Sequence, residues 1–221
     1  MSVGSFSESK RNGGMLTIQP STAHLQAMAE FAKQVPKAAA AAQRRAINKT
    51  LNWLRTHTSR AVARQERIAV GAVRQRLRSY PVTGSAMRGK LWFGINPLEA
   101  SRTGRPRQSG TGVSVAGRRY RGAFHKRVYG ANADIWIRTA SKHFSAGDYP
   151  DSRVTARRGG SSGWIAENDS RFPLAKAKVS LEDVRPHFET WVRRADERLL
   201  EVLKQEFNYE LHKYLKGGGR V

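Results

Sequence analysis

The side chains in this sequence that could do chemistry are almost all basic. The stretch "AGRRYRGAFHKRV", residues 116–128, holds six groups that are positive or can become so: Arg118, Arg119, Arg121, His125, Lys126 and Arg127. The preceding segment adds Arg102, Arg105 and Arg107, so residues 99–127 carry eight Lys+Arg and one acid, Glu99. Arginine and lysine make charge-assisted contacts to phosphate oxygens without reading bases. These eight are therefore the candidate DNA or anion contacts. In a strand, alternation sends Arg119 and Arg121 to one face, away from Tyr120. Gly117 and Gly122 would let a backbone approach closely or bend the strand, and Phe124 is the inward-facing residue. The competing reading is that these arginines meet acids on a neighbouring subunit.

Catalytic chemistry has thinner support. The histidines are His24, His57, His125, His143, His187 and His212, and no two stand four apart with a glutamate between, as a zinc-protease helix requires. His125 and His143 flank "ADIWIRT" and, with Asp134 or Asp148, would make a sparse nuclease-like set; a histidine in a basic sheet is more often polar surface. "RRGGSSG" (157–163) has loop composition and does not follow a strand as a phosphate-binding loop does. Acids are scarce where the positive charge lies, which argues against a carboxylate magnesium site. With no cysteine, neither disulfides nor thiolate metal sites can form. The expectation is no catalytic residue, no metal and no cofactor.

The whole chain bears this out in its charge. Its 221 residues carry 40 Lys+Arg against 17 Asp+Glu, a net +23, which calls for an anionic partner. The excess is segregated. Residues 36–130 hold 21 Lys+Arg and two acids, Glu66 and Glu99, whereas residues 181–216 hold seven Lys+Arg and eight acids. Segregation favours one basic face over basic residues that merely solvate long helices. The N-terminal residues show no apolar run of signal-peptide length, and no segment approaches the ~20 apolar residues of a membrane span. A soluble protein that stays where it is made is expected.

The elements that must position these residues fall into three sections. Residues 1–14 read as a flexible tail, "MLTIQP" (15–20) as a short strand, and residues 21–80 as helical. Within the last, Ile47, Leu51 and Leu54 form an apolar stripe from Lys37 to Arg67, and "VGAVRQRLRSYP" (70–81) is a further short helix closed by Pro81. Then "GKLWFGINP" (89–97), "GVSVAG" (112–117), "RYRGAFHKRV" (119–128) and "ADIWIRTA" (133–140) read as consecutive strands of an antiparallel meander, with mobile loops at 99–112 and 147–163. Residues 181–216 form a last amphipathic helix, whose Phe188, Trp191, Leu199, Leu203, Phe207 and Leu211 are candidate core or interface residues. Residues 217–221 are a second tail. The expected class is α+β, one domain over 15–216, with a small antiparallel sheet packed against long N-terminal and C-terminal helices.

The order of these segments resembles the minor tail protein Z family of tailed bacteriophages and prophages. The resemblance rests on "AAAAAQRRAINKTLNWLRTHTSRAVARQ", then "VGAVRQRLR", "VAGRRYRGAF" and the long "PLAKAKVSLEDVRPHFETWVRRADERLLEVLKQEFNYELHKYLK", and spans roughly residues 36–216. It implies a virion protein, made in the host bacterial cytoplasm, that completes the upper end of a long non-contractile tail at the head–tail junction. Implied partners are copies of itself in a closed ring of about six, tail terminator and tail tube proteins, head–tail connector proteins and genomic double-stranded DNA, with no membrane. The family supplies no catalytic residue, and residues 1–35 and 147–163 fall outside the match. A nonspecific nucleic-acid-binding protein is the alternative; a nuclease or toxin comes third.

Overall fold

Five successive alanines, Ala38–Ala42, open the first long helix; alanine loses no side-chain entropy in a helix. The structure, a computed structural model, describes residues 4–9, 13–19, 29, 33, 35–128, 131–149, 174–181 and 184–217. Most of residues 21–35, the first part of the expected helical section, lies outside the described residues, as do residues 150–163 of the second loop, the tail beyond 217 and the side chain of Phe188. The strands are β1 (Gly4–Ser9), β2 (Gly13–Ile18), β3 (Leu77–Tyr80), β4 (Gly89–Gly94), β5 (Leu98–Glu99), β6 (Arg107–Ser109), β7 (Gly112–Val115), β8 (Arg118–Arg121), β9 (Phe124–Lys126), β10 (Asp134–Arg138), β11 (Leu174–Lys176) and β12 (Lys178–Val179). The helices are α1 (Pro36–Gln65), α2 (Val70–Arg76) and α3 (Arg185–Leu215). The class is α+β. Its strands form four small antiparallel sheets, with long helices in the N-terminal and C-terminal regions, and the chain divides into two compact units.

The first unit comprises residues up to 61, 74–94 and 184 onward. Its sheet runs β1-β2-β4-β3, antiparallel throughout. Residues 4–9 are thus a strand and not the expected tail. "GSFSES" has no apolar signature, but pairing with β2 satisfies its backbone from Gly4↔Ile18 to Ser9↔Gly13. "LRSY", expected to be helical, forms β3: Leu77 is buried and sits opposite Phe93 of β4. Gly89 of β4 lies directly on α1, where a Cβ would fall 2.7 Å from Ile47 Cγ2. Leu51, Leu54, Leu91 and Phe93 are almost fully buried.

α3 buries Ala195, Leu199, Val202, Leu203 and Phe207, so Leu199, Leu203 and Phe207 fill the core positions expected of them. Leu211 does not: it is 40% exposed, because the last turns of α3 also expose Tyr209, Tyr214 and Leu215. Trp191 is half-buried, its ring 5.5 Å from that of Trp53 and 5.0 Å from that of His57. Ion pairs lock α1 to α3. The carboxylate of Glu206 accepts from Arg45 Nε and Lys49 Nζ, each at 2.5 Å, and Glu210 accepts from Arg45 Nη2 at 2.5 Å. Burial alone would raise the pKa of Glu206, but the hydrogen bonds and charges of Lys49 and Arg45 hold it below its ordinary value.

Candidate nucleic-acid interface

The second unit, residues 62–73 and 95–183, holds the basic stretch. Val113, Val115 and Tyr120 alternate with polar residues and are buried, which fixes the inner face of β7 and β8. The hairpin between them turns on Ala116 (φ 50) and Gly117 (φ 78), with Val115 paired to Arg118. Two successive residues at positive φ are what a two-residue hairpin on right-twisted strands requires. Gly112 (φ 145) could not carry a side chain, because a Cβ there would overlap the Tyr120 carbonyl oxygen. Gly122 (φ 67) ends β8, so "RYRGAFHKRV" is two strands and not one.

The segment expected to be a mobile loop over 99–112 contains β5, a 3-10 turn (Ala100–Arg102) and β6. β6 pairs with β7, extending the hairpin into a three-stranded meander. Polar residues form such a strand because backbone pairing and one side chain hold it. Gln108 Oε1 accepts the His125 N–H at 2.7 Å, while its Nε2 donates to the Gly112 carbonyl at 3.3 Å.

The register places the arginines. Arg107 pairs with Ser114, and Ser114 pairs with Arg119, so the three form one row across β6, β7 and β8. Ser109, Gly112 and Arg121 form the next row on the same face. Arg107, Ser114, Arg119 and Arg121 are all exposed. Arg105, Arg107, Ser114, Gly117, Arg118 and Arg119 line a cleft of about 430 Å³. Glu66 is the acid beside it, and it takes Arg118: Nη2 stands 3.7 Å from Glu66 Oε2, while Nη1 is buried with no hydrogen-bond partner. Arg105, Arg107, Arg119 and Arg121 make no ion pair among the described residues.

Four of the eight sequence candidates thus gather around one cleft: Arg105, Arg107, Arg118 and Arg119. Arg121 continues the same face. Arg102 does not join them. The 3-10 turn pairs it with Glu99 at 3.3 Å and aims it into a separate cleft of about 580 Å³. Lys126 and Arg127 are exposed at the end of β9 and line neither cleft. Sequence reasoning missed Ser114 and Arg67. Arg67 (φ 50) follows the end of α1 where glycine is usual, with Ile68 N–H bonded to the Ala63 carbonyl, and its guanidinium lies against Gly117. A positive φ on a bulky residue costs roughly 1–2 kcal/mol, and its signal in the sequence was an arginine where a helix cap calls for glycine.

The histidine–aspartate set does not assemble. His125 and Asp134 line the larger cleft; His143 instead stands beside Gly122, and neither it nor Asp148 lines that cleft. Asp134 is engaged on both oxygens, accepting from Ser101 Oγ at 2.5 Å and pairing with Lys176 Nζ at 3.2 Å. Among the described residues no group of three or more His, Cys, Asp or Glu is placed to hold a metal ion. Burial pushes Tyr120 up to about 12 against the pull of Arg118, and burial likewise raises Tyr149. Both phenols are therefore neutral core groups under the meander. Phe124, expected inside, is half-buried.

No protein-family model matches this chain, and neither a curated protein nor a solved structure matches it. What the site can do thus rests on its own geometry: it can hold an anion between guanidinium groups over a floor of small residues.

Proposed function

We propose that this chain is a structural virion protein that completes the head-proximal end of a phage tail, in a ring around the DNA path, with the outer face of β6–β8 turned to the genome. The observation that carries the reading is the row Arg107–Ser114–Arg119. Among the described residues it presents charge with no acidic partner, on an exposed face. Such a face attracts phosphate without reading bases. The resemblance of the segment order to the minor tail protein Z family supplies the setting. The near-neutral α3 supports the second half of the role, contact between subunits: its last turns leave Tyr209, Leu211, Tyr214 and Leu215 40–70% exposed. Apolar surface of that kind suits burial by a neighbouring copy. No helix among the described residues is long and apolar enough to cross a membrane.

Two measurements test the reading. A virion reconstruction should show a closed ring of about six copies at the neck; one isolated copy would contradict the ring. Replacing Arg105, Arg107, Arg119 and Arg121 with Ser should flatten the log–log salt dependence of duplex binding by up to ~0.9 per lost contact and should impair tail joining. Unchanged slopes with failed joining would place the groove at a protein interface. Tight duplex binding by a protein absent from the virion would favour the second reading, a free nonspecific DNA-binding protein, which the same groove also supports.

A further inference from the structure

From the register of the meander we infer that its outer face is a cradle for a single phosphodiester strand, gripped from both sides and indifferent to base and to sugar. The inference rests on the DNA reading above and narrows it. Arg105 and Arg107 form one rail, at the β6 side. Arg119 and Arg121 form the other, on β8. Between them β7 contributes only Gly112 and Ser114 to this face, and Ala116 and Gly117 close the end at the hairpin turn.

The dimensions decide the ligand. Rails two strands apart are about 9.5 Å apart at Cα, from two inter-strand spacings. The arginine side chains of the two rails are long enough to reach over the floor from either side, so one phosphate group can take a guanidinium on each flank. Along β8, Arg119 and Arg121 repeat at about 6.7 Å, so the two meet successive phosphates of an extended backbone, and Arg105 extends the other side just before β6. Ser114 Oγ stands at the floor between Arg107 and Arg119, where it can donate to a phosphate oxygen held there. Gly112 carries no side chain, and one there would run into the β8 backbone at Tyr120 and Arg121.

Each part of the site has a distinct role. Glu66 holds Arg118 to the wall, and Arg67, packed on Gly117, adds a charge at the turn end. Among the described residues no aromatic side chain is exposed on the outer face of β6–β8: Tyr120 is 3% exposed on the inner side. The residues on this face present charge and hydroxyl to phosphate oxygens and no base-edge pattern, so the strand is held by its phosphates. In a duplex the cradle would take one of the two strands and leave the other to solvent or to another subunit.

The test uses the full-length protein with three probes: a thymidine 20-mer, a uridine 20-mer and a mixed-sequence 20-base-pair duplex. The first variant, Arg107→Ser with Arg119→Ser, breaks both rails. The second, Ser114→Ile, fills the floor without changing charge. Thermal melts confirm that both fold. The rail variant should lower the log–log salt slope by about 1.4 on the single strands and about 1.8 on the duplex. Ser114→Ile should weaken all three probes about tenfold, since it removes a hydrogen bond to a charged group and narrows the floor. Wild-type affinities for the thymidine and uridine strands should agree within about threefold.

Duplex binding without single-strand binding would overturn the cradle and leave the DNA reading standing. So would wild-type affinity in Ser114→Ile alongside a flattened slope in the rail variant, which would describe a diffuse charged face. Wild-type binding by both variants would move the DNA site elsewhere on the chain. Failure of the wild-type protein to bind any probe would sink the DNA reading itself.

Discussion

Glu206→Gln is the most informative single substitution outside the groove. Glu206 is 5% exposed and takes two cations from α1, Arg45 and Lys49, each at 2.5 Å. Removing one partner of a fully buried ion pair costs about 3–5 kcal/mol. Here the cations are not fully buried: the Arg45 and Lys49 side chains are 37% and 64% exposed, so both can rehydrate, and Glu210 still holds Arg45. The cost of Glu206→Gln should fall to about 1–3 kcal/mol, the range of a hydrogen bond to a charged group. Lys49→Met, at the exposed end, should cost under about 1 kcal/mol. The pH dependence gives a second check. Because the folded pKa of Glu206 lies below its ordinary value of 4.5, its contribution is present above that pH and is lost as pH falls through the folded value. Urea denaturation at neutral pH and near pH 3 should therefore show the gap between wild type and Glu206→Gln closing in acid. A cost below about 0.5 kcal/mol at neutral pH, or a gap that persists unchanged in acid, would refute the argument that this carboxylate fastens α3 to α1.

Leu199→Ala and Leu203→Ala, at fully buried positions, should each cost about 2–5 kcal/mol in denaturant unfolding, while Leu211→Ala should stay within about 0.5–1 kcal/mol. Ala116→Asn should stabilise by about 1 kcal/mol, because asparagine tolerates the positive φ that alanine holds there; a lowered midpoint would mean that the turn is not the one described. Tyr120, raised to about 12, favours the folded state below its ordinary pKa of 10.0 and loses that contribution as pH rises from there to about 12. Tyr120→Phe should flatten the loss of stability over that alkaline window.

The long apolar periods were legible in the sequence. Ile47, Leu51 and Leu54 announced α1, and Leu199, Leu203 and Phe207 announced α3, because a helix carries its whole signal locally. β4, β7 and β10 were also legible, each with buried residues beside glycine or asparagine turn signals. What escaped were elements that exist through partners distant in the chain. β5 pairs with β12 over two residues each, and neither has room for a pattern. β1 and β6 are polar and are held by backbone pairing, so composition read them as tail and loop. At the site, the gathering of Arg107 and Arg119 depended on the Ser114 register, which charge counts do not contain. Arg102 was misplaced because a 3-10 turn redirected it toward Glu99. Leu211 kept helical period with the core residues but lies where α3 has outrun what it packs against.

The separation of faces in β6–β8 has a consequence for how such a protein can change over generations. Val113, Val115 and Tyr120 hold the meander from below, while Gly112, Gly117 and Gly122 set its bends. The outward residues Arg107, Ser114, Arg119 and Arg121 are answerable to neither task. Substitution there leaves folding nearly untouched, so the charge, reach and chemistry of the surface can drift or be re-engineered position by position. The hairpin is in effect a printed plate whose type can be reset without recasting the press.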